Sequence, residues 1–249
     1  MPSLQAWQRK VAADGVEPMK INYIGHDEVY RHKRAAREIG WDTPHVLRRS
    51  IEELEAFLAE AAFPEHPSML ELGCGAGDVA LHFARKGWKV AGIDISPFAV
   101  EWAREKAEAE GTGAKFIVAD VTRKIDKPME PADLVLDGHC LHCIVGRDRA
   151  VFFENALAHM KTQGLLCIDS MCGEPVSSEL RRHFDAENRC VVHDGIAGRY
   201  LGLPEEILGE VEATGLEIVK HSVQTARDTD DQDSLRVLAR RAAPLRCSR

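Results

Sequence analysis

The segment L-E-L-G-C-G-A-G, residues 70–77, joins a short apolar run to a helical run that begins at Asp78. Glycine lets the backbone turn tightly and lets a ligand approach the main chain without meeting a Cβ atom. The first turn of the following helix also offers N–H groups that have no partner within the helix. A loop of this kind after a first parallel strand marks the ligand crevice of an open α/β sheet.

The glycine spacing excludes two phosphate-binding loops. The dinucleotide fingerprint G-x-G-x-x-G requires a third glycine at position 78. The chain has Asp78 there, and its carboxylate would face a pyrophosphate poorly. No Gly-Lys-Ser/Thr follows, so the segment is not a P-loop either. We therefore predict a loop for a nucleoside ligand without phosphates.

Short β-branched runs alternate with helical runs around this loop, which is the pattern of a parallel sheet wrapped by helices. Seven strands are predicted, at 68–72, 89–93, 115–119, 133–136, 165–168, 216–225 and 235–239. The last two have no full helix between them, which predicts an antiparallel last strand. The predicted fold class is α/β, a Rossmann-like, mostly parallel seven-stranded sheet with helices on both faces.

Cap residues set the predicted starts of the helices. Thr43 precedes Pro44, and Ser96 precedes Pro97, so that each helix has a proline in its first turn. Asp78 is predicted to cap the helix after the glycine loop. Two further helices are predicted at 148–161 and 204–214.

No linker divides the chain, so we predict a single domain, 1–249. Its parts are an N-terminal helical cap at 1–64, a cofactor-binding core at 65–172, an inserted lid at 173–203 and a closing helix and strands at 204–249. The lid is inferred because 173–203 is too polar and irregular for another plain strand–helix unit.

The composition is 45% hydrophobic with a formal net charge of −8 over 249 residues. This charge, without a basic stripe, disfavours nucleic acid as a partner, and no apolar run approaches the ~20 residues of a membrane span. Seven cysteines, an odd number, indicate free thiols rather than a disulfide framework. The first ten residues lack the apolar segment of a secretory signal. We expect a cytoplasmic monomer or homodimer.

Acidic residues follow the second and third strands of the core. Asp94, in G-I-D-I-S, stands where a carboxylate can accept hydrogen bonds from both ribose hydroxyls. Its alternative role is a helix cap, although Ser96 and Pro97 already supply one. Asp120 and Val121 stand where an adenine amine and ring can be held, and the alternative for Asp120 is an acidic turn residue.

With these motifs, the sequence resembles the class I methyltransferases that use S-adenosylmethionine (SAM). The matching segments are E-L-G-C-G-A-G at 71–77, G-I-D-I-S at 92–96, A-D-V at 119–121 and D-L-V-L-D at 133–137. The resemblance covers roughly 68–170 well and the closing strands loosely. It departs where many relatives have L-K-P-G-G, since this chain has M-K-T-Q-G at 160–164.

The resemblance implies SAM as the cofactor. Gly73 and Gly75 would border its methionine part, Glu71 would lie near its amino group, Asp94 would hold the ribose and Asp120 the adenine edge. The full set of cofactor contacts predicted in this way is Tyr23, Glu71, Gly73, Cys74, Gly75, Asp94, Ile95, Asp120, Val121 and Asp137.

The run H-C-L-H-C at 139–143 follows the fourth strand, near the transferred methyl group in this family. A neutral imidazole there can take a proton from an attacking hydroxyl, amine or thiol. His139 is the first candidate for this role and His142 the second. The alternatives are a structural role and a soft metal or metalloid site, although four ligands within five residues is tighter than usual zinc spacing. No metal is predicted.

Two further segments carry groups that can act on ligands. The segment 21–34 contains Tyr23, His26, Tyr30 and His32, which either fold over the cofactor or belong to a solvated amphipathic helix. Six cationic or imidazole side chains in 173–203 either meet an anionic substrate or face solvent: Arg181, Arg182, His183, Arg189, His193 and Arg199.

We predict SAM-dependent methyl transfer to a small-molecule acceptor through O, N or S, by in-line displacement in a lidded cleft. The alternatives are a non-catalytic SAM-binding regulatory module, a methyltransferase that acts on a thiol or metalloid through the His/Cys cluster, and an aminopropyl transferase. The basic lid argues against the last of these, because it would need an acidic amine pocket.

Overall fold

The computed structural model describes residues 20–127, 129–229 and 231–242. In chain order its strands are β1 (Lys20–Ile21), β2 (Ser68–Leu72), β3 (Lys89–Asp94), β4 (Lys115–Val118), β5 (Ala132–Asp137), β6 (Met160–Met171), β7 (Phe184–Asp185), β8 (Cys190–His193), β9 (Ile196–Tyr200), β10 (Leu216–Gln224) and β11 (Ser234–Arg241). Its α-helices are α1 (His26–Ala35), α2 (Pro44–Leu58), α3 (Asp78–Arg85), α4 (Pro97–Glu110), α5 (Asp148–Ala158), α6 (Ser178–His183) and α7 (Pro204–Ala213).

The central sheet has seven strands in the order β4-β3-β2-β5-β6-β11-β10. Strands β2 to β6 are parallel to their neighbours among themselves, and β11 runs antiparallel to both β6 and β10. The predicted mostly parallel sheet with an antiparallel last strand is therefore confirmed.

Both faces of the sheet are covered by packed side chains. Met69 and Leu70 are adjacent in β2 but belong to different buried clusters, because successive side chains of a strand point to opposite faces. Leu54 and Leu58 of α2 join the cluster of Met69, whereas Phe152 of α5 joins that of Leu70. The sheet is thus a central layer between helices.

Two predicted helix caps are confirmed and one is wrong. The side chains of Thr43 and Ser96 accept hydrogen bonds from the backbone N–H groups of the first turns of α2 and α4. The cap of α3 is Gly77, with φ of +77°, rather than Asp78. Asp78 is instead the first residue of the helix, and its Oδ1 lies 2.6 Å from Lys106 Nζ, so the carboxylate pairs with a lysine of α4.

The helix predicted at 148–161 ends earlier, at Ala158. Met160 is already paired with Ala132 in the sheet, so the main chain must leave the helix by that point. Strand β6 is correspondingly longer than predicted and includes the whole M-K-T-Q-G segment.

The segment 173–203 contains α6 and a second, smaller sheet in the order β1-β9-β8-β7. Its strand β9 pairs in parallel with β1, which lies about 175 residues earlier in the chain, through Lys20 with Ile196 and Ile21 with Ala197. Residues 1–19, part of the predicted cap, and 243–249, part of the closing segment, lie outside the described residues. Among the helices of the described ranges, none is both long and apolar enough to cross a membrane.

Candidate functional site

A cavity of about 640 Å³ lies at the carboxyl ends of β2 to β6. This is within the usual range for small-molecule sites, roughly 300–1,000 Å³. The carboxyl ends of parallel strands meet at one edge of the sheet, which brings together residues that are distant in sequence. All the site residues predicted from the sequence line it: Tyr23, Glu71, Gly73, Cys74, Gly75, Asp94, Ile95, Asp120, Val121, Asp137, His139 and His142.

Asp94 shapes the glycine loop as well as facing the cavity. Its Oδ2 accepts a hydrogen bond from the Gly75 N–H at 2.8 Å, and its Oδ1 accepts one from the Ser96 N–H at 2.8 Å. The side chain is 7% exposed, and burial raises its pKa. Each carboxylate oxygen can accept a further hydrogen bond, so these two backbone contacts leave acceptor capacity for a ligand.

Glu71 has an unsatisfied polar atom in the cavity wall. It is 2% exposed, and its Oε2 is buried without a hydrogen-bond partner in the described part of the chain. Burial raises the pKa of Glu71 well above its ordinary value, and the neighbouring Asp78 and Asp94 raise it further. A cationic ligand group would relieve both the missing contact and the repulsion between these carboxylates.

Asp120 and Tyr23 have partners within the protein. Asp120 Oδ1 accepts hydrogen bonds from the Thr122 N–H at 2.9 Å and the Thr122 hydroxyl at 2.6 Å, and its Oδ2 forms an ion pair with the exposed Arg123, whose Nε lies 3.3 Å away. The Tyr23 hydroxyl donates to Asp148 Oδ2 at 3.0 Å and accepts from the Val145 N–H at 3.3 Å. We infer that a ligand in the cavity contacts the ring of Tyr23 rather than its hydroxyl.

Asp137 holds the loop that carries the histidines. Its Oδ1 accepts hydrogen bonds from the backbone N–H groups of Cys140 at 2.9 Å and Leu141 at 3.0 Å. Its Oδ2 lies 3.4 Å from the Asp169 N–H. Burial raises the pKa of Asp137 to about 6, although the hydrogen bonds from Cys140 and Leu141 lower it. The contacts give this residue a structural part in the site.

His139 has a left-handed backbone, with φ of +60°, and a half-exposed side chain. Its Nδ1 lies 3.0 Å from the Asp169 carbonyl oxygen. Because a carbonyl only accepts, Nδ1 carries the hydrogen of the neutral ring and Nε2 keeps its lone pair. The ring centroid of His142 lies 4.6 Å away.

His142 is 4% exposed, and its Nδ1 is buried without a hydrogen-bond partner among the described residues. Burial lowers its pKa well below the ordinary value, and the charges of His139 and Arg199 lower it further. His142 is therefore neutral at physiological pH.

Comparison with known proteins places this geometry in a family. Residues 69–164 match the family model described as "Methyltransferase domain". This part of the chain is therefore similar to methyltransferase domains. The matched range holds the glycine loop, Asp94, Asp120 and the 139–143 run, and it supplies nearly half of the residues that line the cavity.

Two relatives match parts of the chain. The ajmaline N-methyltransferase of Rauvolfia serpentina is 35% identical over 113 residues, which cover 42% of this chain and 38% of that protein. A SAM-dependent Diels-Alderase of Neonectria sp. is 42% identical over 69 residues, which cover 27% of this chain and 28% of that protein. The chain thus spans less than half the length of these relatives.

A solved structure matches nearly the whole chain. The 1,6-didemethyltoxoflavin N1-methyltransferase of Burkholderia thailandensis, crystallised with 1,6-didemethyltoxoflavin and S-adenosylhomocysteine, has a TM-score of 0.64. At 17% identity, it covers 92% of this chain and 94% of that chain. This likeness supports the methyltransferase fold.

The cysteines near the histidines are neutral thiols. Burial raises the pKa of Cys143 to about 11 and that of Cys140 well above its ordinary value. The Cys140 thiol donates to the Leu72 carbonyl oxygen at 3.3 Å, and its side chain packs over Gly73, where a Cβ atom would lie 2.4 Å from the Cys140 Cβ. Within the described ranges, no three His, Cys, Asp or Glu side chains are arranged to hold a metal ion.

Sequence reasoning left the role of Tyr30 open and missed two contributors to the cavity wall, Asp169 and Arg49. Tyr30 packs over the glycine loop, where a Cβ on Gly75 would lie 2.1 Å from its hydroxyl oxygen. Asp169 fixes the His139 ring through its carbonyl. Arg49 of α2 lines the cavity with its Nε buried and without a hydrogen-bond partner among the described residues. Arg49 lies three residues after Val46 on the cavity-lining side of α2, and this polar interruption of an apolar stripe was the available signal.

Proposed function

We propose that this protein transfers a methyl group from SAM to a small-molecule acceptor within the cavity. The observation that carries the proposal is the buried, unpartnered Oε2 of Glu71 beside Asp94 and the glycine loop. A sulfonium and an ammonium group suit this acidic wall, whereas the pyrophosphate of a dinucleotide would add negative charge to it.

The residues present fit each part of SAM. Glu71 offers a carboxylate oxygen to the ammonium group, and Asp94 offers acceptors to the ribose hydroxyls. Asp120 can accept a further hydrogen bond from the adenine amine at Oδ2, beside its ion pair with the exposed Arg123, with Val121 against the ring. The guanidinium of Arg49 can pair with the methionine carboxylate, because this part of its side chain lacks a partner.

When bound, SAM supplies a methyl group that is already activated by the sulfonium. The protein then has to align the acceptor with that methyl group at ~3–3.5 Å and to exclude water. We assign the proton transfer to His139, whose Nε2 is the basic nitrogen because Nδ1–H donates to the Asp169 carbonyl oxygen. His139 can then accept the proton that a hydroxyl, amine or thiol acceptor loses.

A small acceptor is favoured by what surrounds the cavity. Asn22, Tyr23 and His26 line it from the N-terminal segment, and Arg199 lines it from the 173–203 segment. These two segments are joined by the pairing of β1 with β9, which forms a wall over the strand ends. Two of the proteins compared act, by their names, on the small molecules ajmaline and 1,6-didemethyltoxoflavin.

The deciding experiment is calorimetric titration of the protein with SAM and, separately, with NAD. We expect binding of SAM at micromolar concentration and none of NAD. Replacing Asp94 with alanine should weaken SAM binding by roughly 1.5–3 kcal/mol, the range for hydrogen bonds to a charged group. Asp126→Ala, which removes an exposed aspartate outside the cavity, should leave the affinity unchanged. Absence of SAM binding by the unmodified protein would overturn the proposal.

The catalytic part is tested by His139→Ala with an acceptor panel and detection of methylated products by mass. Turnover should fall by about 10²–10⁴-fold, the usual contribution of a positioned base, while SAM affinity stays constant. His66→Ala, an exposed histidine outside the cavity, is the control. A matching loss of SAM affinity would make His139 a cofactor contact. SAM binding without methylation of any acceptor would instead support a non-catalytic SAM-binding protein.

A further inference from the structure

Among the described residues, Arg199 is a cation without an ionic partner at the acceptor end of the cavity. It lies in β9, is half-buried and lines the cavity. No carboxylate of the described residues forms an ion pair with it, in contrast to Arg189 of the same segment, which pairs with Glu174 and Glu206. A half-buried guanidinium left in this state is poised to receive an anion.

His142, a neighbour of Arg199, also has a polar atom without a hydrogen-bond partner among the described residues. Strand β9 packs against the turn at 141–143 that carries His142. The charge of Arg199 reaches both His142 and Cys143: it adds to the lowering of the His142 pKa by burial and opposes the rise that burial causes in the Cys143 pKa. His142 is neutral, and its buried Nδ1 has no hydrogen-bond partner among the described residues. One ligand group with two acceptor oxygens would therefore satisfy both residues.

We propose that Arg199 and His142 form a subsite for the carboxylate of the acceptor, so that the substrate class is a small organic acid. This inference rests on the proposed methyltransferase function. The guanidinium supplies the charge, and the neutral imidazole donates a hydrogen bond from Nδ1–H. The adjacent ring of His139, 4.6 Å from that of His142, then faces the nucleophilic atom of the same small molecule.

The surroundings favour a monoanion on an apolar body. Asp137 and Asp169 line the same end of the cavity and would repel a dianion such as a phosphate monoester. Tyr23, Ile144 and Met171 supply apolar surface beside the subsite. Arg199 is also distinguished from the other five basic or imidazole side chains of the 173–203 segment, because none of those lines the cavity.

The test is binding of a series of aryl carboxylates and their isosteric carboxamides to the complex with S-adenosylhomocysteine, measured by calorimetry. The nucleophile need not be known, because nothing is transferred. In the unmodified protein the acids should bind about tenfold or more tightly than the amides, as expected for a charge-assisted pair. Arg199→Gln should abolish this preference, and Arg199→Lys should keep part of it.

Arg182→Gln is the matched control, because it removes an exposed arginine of the same segment that does not line the cavity. It should leave the preference for acids intact. The inference is overturned if the unmodified protein shows no preference for acids, or if Arg199→Gln retains one. Failure of S-adenosylhomocysteine itself to bind would count against the proposed function, and it is measured first in the same titration.

Discussion

At the scale of single residues, burial controls the charge on the cavity wall. Glu71, Asp94 and Asp137 are all buried, and the pKa of each is raised because the charged form is poorly solvated. His142 shows the opposite direction from the same cause, because its charged form is the protonated one. The cavity thus holds neutral imidazole beside carboxyl groups that gain from a cation.

The raised pKa of Asp137 predicts how the free energy of unfolding changes with pH. Its folded pKa of about 6 lies above the ordinary 3.8. Between these values the unfolded chain releases the proton while the folded protein keeps it, so the free energy of unfolding falls as pH rises. Asp137→Asn keeps an acceptor for Cys140 and Leu141 but removes the ionisation. We expect the free energy of unfolding of the unmodified protein, relative to the variant, to fall by about 2 kcal/mol between about pH 4 and 6, measured by urea denaturation.

Asp133→Asn is the control with the opposite sign. Burial would raise the pKa of Asp133, but hydrogen bonds from Lys161 and Ser68 outweigh it and hold the pKa below its ordinary value. The stabilisation from Asp133 is therefore lost only as pH falls below about 4, and its difference curve should be flat between pH 4 and 6. Parallel curves for the two variants would show that Asp137 does not titrate as inferred.

At the scale of elements, α3 is flanked by two glycines whose backbone conformations are similar and whose surroundings differ. Gly77 has φ of +77° and Gly87 has φ of +86°. A Cβ on Gly77 would lie 2.8 Å from Phe116 Cζ and 2.9 Å from Ala103 Cβ, whereas one on Gly87 would meet nothing within 4 Å. The start of α3 is thus packed under β4 and α4, and its end faces open space.

Alanine substitution separates the cost of a left-handed backbone from the cost of steric crowding. Gly87→Ala should reduce the free energy of unfolding by roughly 1–2 kcal/mol, the penalty for a left-handed residue with a Cβ atom. Gly77→Ala carries the same penalty and should lose about 1–3 kcal/mol more through overpacking. Both are read from urea denaturation midpoints. Equal losses would mean that the neighbours of Gly77 move aside without strain.

At the scale of the whole molecule, a buried ion pair ties together parts that are distant in sequence. Arg149 of α5 bonds to Glu210 of α7, with 2.7 Å between Nε and Oε1. Its Nη1 donates to the carbonyl oxygens of Leu141 at 2.7 Å and Ile144 at 3.1 Å, which flank His142. The guanidinium carbon also lies 4.4 Å from the ring centroid of Tyr200 in β9. One side chain thus connects two helices, the histidine turn and the 173–203 segment.

Glu210→Leu should leave the Arg149 cation buried without a counter-charge. The expected loss is about 3–5 kcal/mol in the free energy of unfolding, as for other buried pairs broken on one side. Glu212→Leu, at an exposed position of the same helix, should change it by no more than about 0.5 kcal/mol. Similar effects for the two variants in denaturant unfolding would show that the pair contributes little.

The sheet and the cofactor end of the site followed from local sequence. A strand is recognised by its apolar run and a helix by its caps, so the positions of the strands along the chain and the starts at Thr43 and Ser96 follow from short windows. The pairing of Asp78 and the boundaries at Ala158 and Met160 do not, because they depend on a lysine of α4 and on pairing with β5. Contacts between distant elements cannot be predicted from such a short window of sequence.

By itself, the amino-acid sequence determined the α/β fold and the gathering of Gly73, Asp94 and Asp120 at one edge of the sheet, since period and turn chemistry are local properties. Only the tertiary structure decided which polar groups there lack a partner among the described residues, namely Oε2 of Glu71, Nε of Arg49, Nδ1 of His142 and the guanidinium of Arg199. It also decided the tautomer of His139, through a carbonyl 30 residues away. Satisfaction of a buried group depends on every element packed around it, and that is a property of the folded chain alone.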